Sequence, residues 1–113
     1  SVLNKLHAYG QLTTAATTIH GLSRIYGNAV IHESHYQGSV QIWSQEITVS
    51  GSTFDADIII HGDGNYPCKL ILADNTKIMG DVVFKECTGR IELRTGSGVY
   101  GAIIDGEVIN ERR

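Results

Sequence analysis

A repeated pattern of apolar and small residues constrains the fold of this chain more than any other feature. An apolar residue is followed by a small residue two positions later and by a second apolar residue six positions later. Copies of this pattern occupy residues 19–25, 36–42, 54–60 and 78–84. A last copy begins at Val99 and breaks at its final position, Asp105, and a degenerate copy occupies residues 2–8. Self-similarity of this kind indicates a fold that is built from stacked, equivalent units.

The spacing of the copies predicts the size of one unit. The residues at the small position are 4, 21, 38, 56, 80 and 101, which gives intervals of 17, 17, 18, 24 and 21 residues. The two long intervals contain turn-rich insertions at 63–68 and near 86–89, and loops tolerate insertions. We therefore predict an all-β, single-stranded β-solenoid of about six coils in one domain at 1–113. The coils begin near residues 2, 19, 36, 54, 78 and 99.

Alternation along each strand predicts which side chains form the core. Residues two apart on a strand point to the same face, and stacking places equivalent residues of successive coils in columns. One predicted inward column is Ile19, Tyr36, Phe54, Ile78 and Val99, and a second is Ile25, Ile42, Ile60 and Phe84. The column of Gly21, Gly38, Ala56, Gly80 and Gly101 is expected to be tightly packed. A two-sheet antiparallel sandwich is the alternative fold.

Composition excludes several classes of function. The chain has 113 residues with 9 basic and 12 acidic side chains, so its net charge of −3 argues against nucleic acid as a partner. No apolar run approaches the roughly 20 residues of a membrane-spanning helix, and no secretory leader opens the chain. We expect no membrane insertion.

The repeat resembles the bactofilins, a family of bacterial polymer-forming cytoskeletal proteins. The resemblance lies in the coil length and in phrases such as Ile-Tyr-Gly-Asn-Ala-Val-Ile at 25–31 and Ile-Met-Gly-Asp-Val-Val-Phe at 78–84. It implies a right-handed, roughly triangular β-helix that polymerises through its coil ends without nucleotide. It also implies a bacterial cytoplasmic location, with membrane contact only through partners. The chain differs from the family pattern because it lacks flanking tails and an apolar, membrane-targeting N-terminus.

One predicted outward column contains the candidate self-assembly surface. Ile59, Val83 and Ile104 occupy equivalent outward positions in three successive coils, and exposed apolar patches of this kind often mark interfaces. The alternative is that residues from Val108 onward, or the loop at 63–68, cover this stripe. The coil ends are the second predicted contact, because unpaired strand edges are adhesive unless they are capped. The expected partner is another copy of the chain.

A second outward column suggests a different class of function. Tyr26 and Trp43 occupy equivalent outward positions, and His61 continues their column. Aromatic rings on one face are typical of a carbohydrate- or surface-binding module, although ordinary cross-strand packing also gives this pattern. A further alternative is a fragment of a hexapeptide-repeat acyltransferase, in which His61 or His35 would be the catalytic histidine.

The sequence predicts no catalytic, cofactor-binding or metal-binding residues, and hence no enzyme. The histidines of the His32–Glu–Ser–His35 segment would converge on a metal only if the turn brought both rings together. A calcium site at 63–65 has weak support. Cys68 and Cys87 fall in neighbouring coils where a disulfide is conceivable, but a cytoplasmic protein is expected to keep them as buried thiols.

Overall fold

The chain forms short strands that are separated by tight turns. The computed structural model describes residues 2–3, 6–9, 12–64, 67–94 and 96–110. The first three coils contain β1 (Val2–Leu3), β2 (Leu6–Tyr9), β3 (Leu12–Ala15), β4 (Thr18–Ile19), β5 (Ser23–Tyr26), β6 (Ala29–His32), β7 (His35–Tyr36), β8 (Val40–Trp43) and β9 (Glu46–Ser50). The next three contain β10 (Thr53–Phe54), β11 (Ile58–His61), β12 (Cys68–Ala73), β13 (Lys77–Ile78), β14 (Val82–Lys85), β15 (Gly89–Leu93), β16 (Gly98–Val99), β17 (Ile103–Ile104) and β18 (Gly106–Asn110).

Every third strand belongs to the same sheet, which makes the chain a β-solenoid with three faces. Sheet 1 has the order β1-β4-β7-β10-β13-β16, sheet 2 contains β2, β5, β8, β11, β14 and β17, and sheet 3 contains β3, β6, β9, β12, β15 and β18. The chain returns to sheet 1 five times, so six coils are stacked. Neighbouring strands pair in parallel in all three sheets. The predicted solenoid is therefore confirmed and the antiparallel sandwich is wrong.

The predicted inward columns form the core. Ile19, Tyr36, Phe54, Ile78 and Val99 follow one another in register through sheet 1. Ile25, Ile42, Ile60 and Phe84 do the same in sheet 2. All of these side chains except Val99 are at most 1% exposed, and Val99 is partly buried. The core therefore runs along the solenoid axis and leaves the outward positions for function.

Both insertions lie at the corner between sheets 2 and 3. Residues 62–67 connect β11 to β12, and residues 86–88 connect β14 to β15. Cys68, which the sequence groups with the first insertion, is instead the first residue of β12 and is fully buried.

Polar side chains hold the other two corners together. Between sheets 3 and 1, the backbone N–H groups of Ser34 and Ser52 donate to the hydroxyls of Ser52 and Thr76, at 3.0 and 3.3 Å. Between sheets 1 and 2, the N–H groups of Asp81 and Ala102 donate to carboxylates one coil earlier, each at 2.8 Å. These bonds satisfy backbone groups that lie outside the strand ladders.

The column of small residues is as tight as predicted. A methyl group on Gly80 would lie 2.5 Å from the carbonyl carbon of Ala56 and 2.6 Å from its oxygen. Backbone from the preceding coil therefore occupies the space that a side chain would need.

The sixth coil takes a shorter path than the fifth. Val83 pairs with Ile104 and Gly89 pairs with Gly106. Coil 5 therefore places residues 84–88 between these points, where coil 6 has Asp105 alone. This shortcut leaves an open notch of about 760 Å³ beside residues 84–88.

Candidate functional site

The structure brings the two predicted surfaces together on the outer face of sheet 2. Ile59, Val83 and Ile104 are in register on successive strands. Tyr26, Trp43 and His61 form the adjacent column, two residues further along each strand. We call these six residues the sheet 2 face. The spacing of two residues between the two columns already indicates in the sequence that they share one face.

The aromatic side chains of the sheet 2 face stack on one another. The ring centroids of Tyr26 and Trp43 are 4.4 Å apart with an interplanar angle of 13°, and those of Trp43 and His61 are 4.4 Å apart at 5°. The predicted column is confirmed, but both faces of the Trp43 ring are covered by its neighbours. A sugar-binding platform needs open ring faces, so the stack favours cross-strand packing. A shallow depression of about 270 Å³ lies beside Trp43 and His61.

The apolar part of the sheet 2 face becomes more exposed toward the C-terminal end. Ile59 and Val83 are half-buried, whereas Ile104 is 44% exposed. Residues Gly106–Asn110 form β18 in sheet 3 and do not cover this stripe. The expectation that the chain from Val108 onward covers it is therefore wrong for the residues that the structure describes.

The exposed large apolar side chains gather in the last two coils. Among the residues whose side chains are described, Met79 is 51% exposed, Tyr100 62% and Val108 38%, in addition to Ile104. Val108 belongs to an inward column, but no described strand lies beyond it to complete the core. Met79, Tyr100 and Val108 are not among the surface residues predicted from the sequence. Tyr100 and Met79 each follow an inward residue directly, and that alternation was the available signal.

A disulfide joins coils 4 and 5. Cys68 in β12 is bonded to Cys87 in the corner before β15, with a Cα–Cα distance of 5.9 Å. The expectation of reduced thiols is wrong, because stacking places the two residues on neighbouring coils at the same corner. Cys68 is fully buried, whereas Cys87 is partly exposed and lines the notch.

The described histidines outside the sheet 2 face form separate polar pairs. His20 pairs with Gln37, the Nδ1 of His32 lies 2.6 Å from the Ser50 hydroxyl, and the Nε2 of His35 lies 2.8 Å from an Asp55 carboxylate oxygen. The described part of the chain contains no group of three or more His, Cys, Asp or Glu side chains that could hold a metal ion. The pairing of His32 with Ser50 and of His35 with Asp55 explains why these two histidines do not converge.

Comparisons with known proteins do not assign a function to this chain, so its sequence and its fold are the basis for a proposal. No family model, curated protein or solved structure matches this chain. The likeness to bactofilins accordingly stays a prediction from the repeat pattern. Within the described residues, no helix has the length and hydropathy that crossing a membrane requires.

The surroundings of His61 disfavour its charged form. Its Nε2 atom is buried and has no hydrogen-bond partner among the residues that the structure describes. Burial lowers the pKa of His61 below its usual 6.5, the positive charge of Lys85 lowers it further, and Glu86 opposes the shift. The imidazolium form of His61 is thus less favoured in the folded chain than in the unfolded chain.

We expect stability to fall as the pH is lowered from 6.5 toward the pKa of folded His61, because the unfolded chain takes up the proton more readily. The contribution is fully present above pH 6.5. His61→Phe keeps a ring against Trp43 and removes the titration, so it should reduce this pH dependence. Urea midpoints of both proteins between about pH 7.5 and 5.5 measure the effect. Equal slopes for the two proteins would show that His61 is not responsible.

Proposed function

We propose that this chain is a non-catalytic, self-assembling structural protein that stacks on further copies through its C-terminal coil. The observation that carries the proposal is the apolar surface on the last of the described coils. The strands β16, β17 and β18 are the outermost strands of the three sheets at this end. Val99 and Ile103 pack only partly into the core, and Val108 is exposed.

Stacking another coil on this end would remove apolar surface from water and satisfy backbone groups together. Successive coils stack in parallel with equivalent residues in register, so the first coil of a second copy can continue the same columns. In that register Leu12, which begins the column that Val108 ends, would follow Val108. Such a head-to-tail contact does not close on itself and produces filaments. This is the mode of assembly that the resemblance to bactofilins implies.

The sheet 2 face offers a second, lateral contact between copies. In coils 2 to 6, the six residues of this face share the outer side of sheet 2 with three polar residues, Arg24, Gln41 and Lys85. A face of this composition would bury apolar area when it packs on an identical face. Lateral pairing would join filaments side by side.

The disulfide bears on the compartment. Disulfides persist in oxidising environments and are rare in the cytoplasm. The family resemblance implies the bacterial cytoplasm. The Cys68–Cys87 bond instead supports a location outside it. We propose that assembly takes place in an oxidising compartment.

The two alternatives have weaker support from the geometry. Carbohydrate binding would use the Tyr26 and Trp43 rings, whose facing surfaces cover each other. An acyltransferase would use His61 or His35. The Nε2 atom of His61 is buried and the His35 ring is paired with Asp55. Neither alternative explains the exposed apolar residues of coils 5 and 6.

Substitution of Val108 tests the assembly proposal. Val108→Lys places a charge in the inward column that a further coil would continue, so it should reduce the mass of the assembly at least several-fold with the preceding coils unchanged. Glu107→Lys is the matched control, because Glu107 precedes Val108 in β18 and is exposed on the outer face. Light scattering after size exclusion, at low and high salt, gives the mass. A wild-type protein that is monomeric in both buffers would overturn the proposal.

A further inference from the structure

The corner formed by residues 84–88 is hydrogen-bonded to coil 4, and on its other side the Phe84 ring packs beside Gly106 of coil 6. Coil 6 passes it with Asp105 alone, so the corner faces the notch on its C-terminal side. On the other side, the N–H groups of Gly62, Gly64 and Cys68 donate to carbonyl oxygens of this corner at 2.8, 2.7 and 3.0 Å. The disulfide from Cys87 to Cys68 is the covalent part of the same attachment.

Two of the three strands that support the last coil adjoin this corner. Strand β14 leads into the corner and pairs with β17, while β15 leaves the corner and pairs with β18. The positions of Ile104 and Val108 therefore depend on how firmly residues 84–88 are held. In a solenoid each coil contacts only its neighbours, so a weakened coil 5 also releases coil 6.

We infer that the Cys68–Cys87 disulfide controls the assembly surface at the C-terminal end. The inference rests on the proposed function, and it adds a condition: the surface is formed when the two cysteines are oxidised and is disordered when they are reduced. A chain made in a reducing compartment would stay unassembled until its two thiols reacted with an oxidant that itself contains a disulfide. Premature assembly at the site of synthesis would thereby be avoided.

The different burial of the two sulfurs gives the order of the chemical steps. Cys87 lines the notch and reaches the oxidant first, because Cys68 is fully buried. The Cys87 thiolate attacks the oxidant's disulfide, forms a mixed disulfide and releases one thiol. The Cys68 thiolate then attacks the Cys87 sulfur, closes the protein disulfide and releases the second thiol. Two electrons and two protons pass to the oxidant.

The test compares the oxidised and the dithiothreitol-reduced 113-residue chain by light scattering and by amide hydrogen exchange. The oxidised chain should form large assemblies, and the reduced chain should remain small. Exchange in residues 82–110 should accelerate about tenfold or more on reduction, whereas exchange in residues 23–61 should change little. The Cys68→Ala/Cys87→Ala variant is the control, because its mass and exchange should not respond to dithiothreitol.

The outcomes separate this inference from the proposed function. Assembly of the reduced chain to the same mass, with unchanged exchange in residues 82–110, would overturn the redox control and leave the assembly proposal standing. An oxidised chain that stays small would overturn the assembly proposal and its regulation together. In that case the exchange data still decide whether the disulfide holds coils 5 and 6. Circular dichroism of the reduced chain checks that coils 1 to 4 keep their strands.

Discussion

Replacing Phe54 with alanine is expected to lower the free energy of unfolding by about 4 kcal/mol. Phe54 is 1% exposed and its ring centroid lies 4.9 Å from that of Tyr36, with an interplanar angle of 11°. The two rings fill the centre of the inward column of sheet 1. The substitution would remove the buried ring and leave a cavity that the rigid neighbouring coils cannot close. Denaturant unfolding followed by circular dichroism measures the change.

The variant Phe54→Leu separates volume from ring stacking. It keeps most of the apolar volume and loses the contact with the Tyr36 ring, so a loss of about 1–1.5 kcal/mol is expected. A loss below about 1 kcal/mol for Phe54→Ala would contradict the central place of this ring pair in the core.

Replacing Gly80 with alanine should cost about 3 kcal/mol, although it adds a single methyl group. That methyl would lie 2.5 Å from the carbonyl carbon of Ala56 and 2.6 Å from the Asp57 carboxylate, which accepts the N–H of Asp81. Backbone cannot move aside as a flexible side chain can. Coils 4 and 5 would have to separate at this corner, and the hydrogen bond of the aspartate would weaken.

Gly98→Ala provides the matched control for this prediction. Gly98 lies in coil 6 and pairs with Lys77 of coil 5. The nearest heavy atom to a methyl added there would be Tyr100 Cζ, at 3.8 Å. Its expected effect is within about 0.5 kcal/mol. Thermal or denaturant midpoints of the two variants make the comparison, and similar losses at both positions would show that the crowding at Gly80 is not decisive.

The core could be predicted from the sequence because two regular periods determine it. Alternation along a strand decides which residues point inward, and the coil length decides which of them stack. Ile19, Tyr36 and Phe54 followed both rules, and so did the outward columns of Ile59 and Trp43. The solenoid fold and the stacking of Tyr26 on Trp43 followed from these periods.

The features that the sequence did not predict lie where the periods break. The disulfide depends on how residues 62–67 and 86–88 leave and rejoin their coils, and the spacing of Cys68 and Cys87 does not determine that path. The notch arises because Asp105 alone stands where coil 5 has residues 84–88. The sequence repeat does not show how the strands of the last coil align with those of coil 5. The covered faces of the Trp43 ring depend on ring orientation, which alternation leaves open.

The aromatic stack also makes the tryptophan fluorescence of the protein sensitive to its structure. Trp43 is the only tryptophan of the chain, and it lies between the rings of Tyr26 and His61. Excitation absorbed by Tyr26 will transfer to the indole over this short distance, and protonation of His61 will quench the emission. The fluorescence of the untagged protein therefore follows the separation of coils 2, 3 and 4 around the single indole.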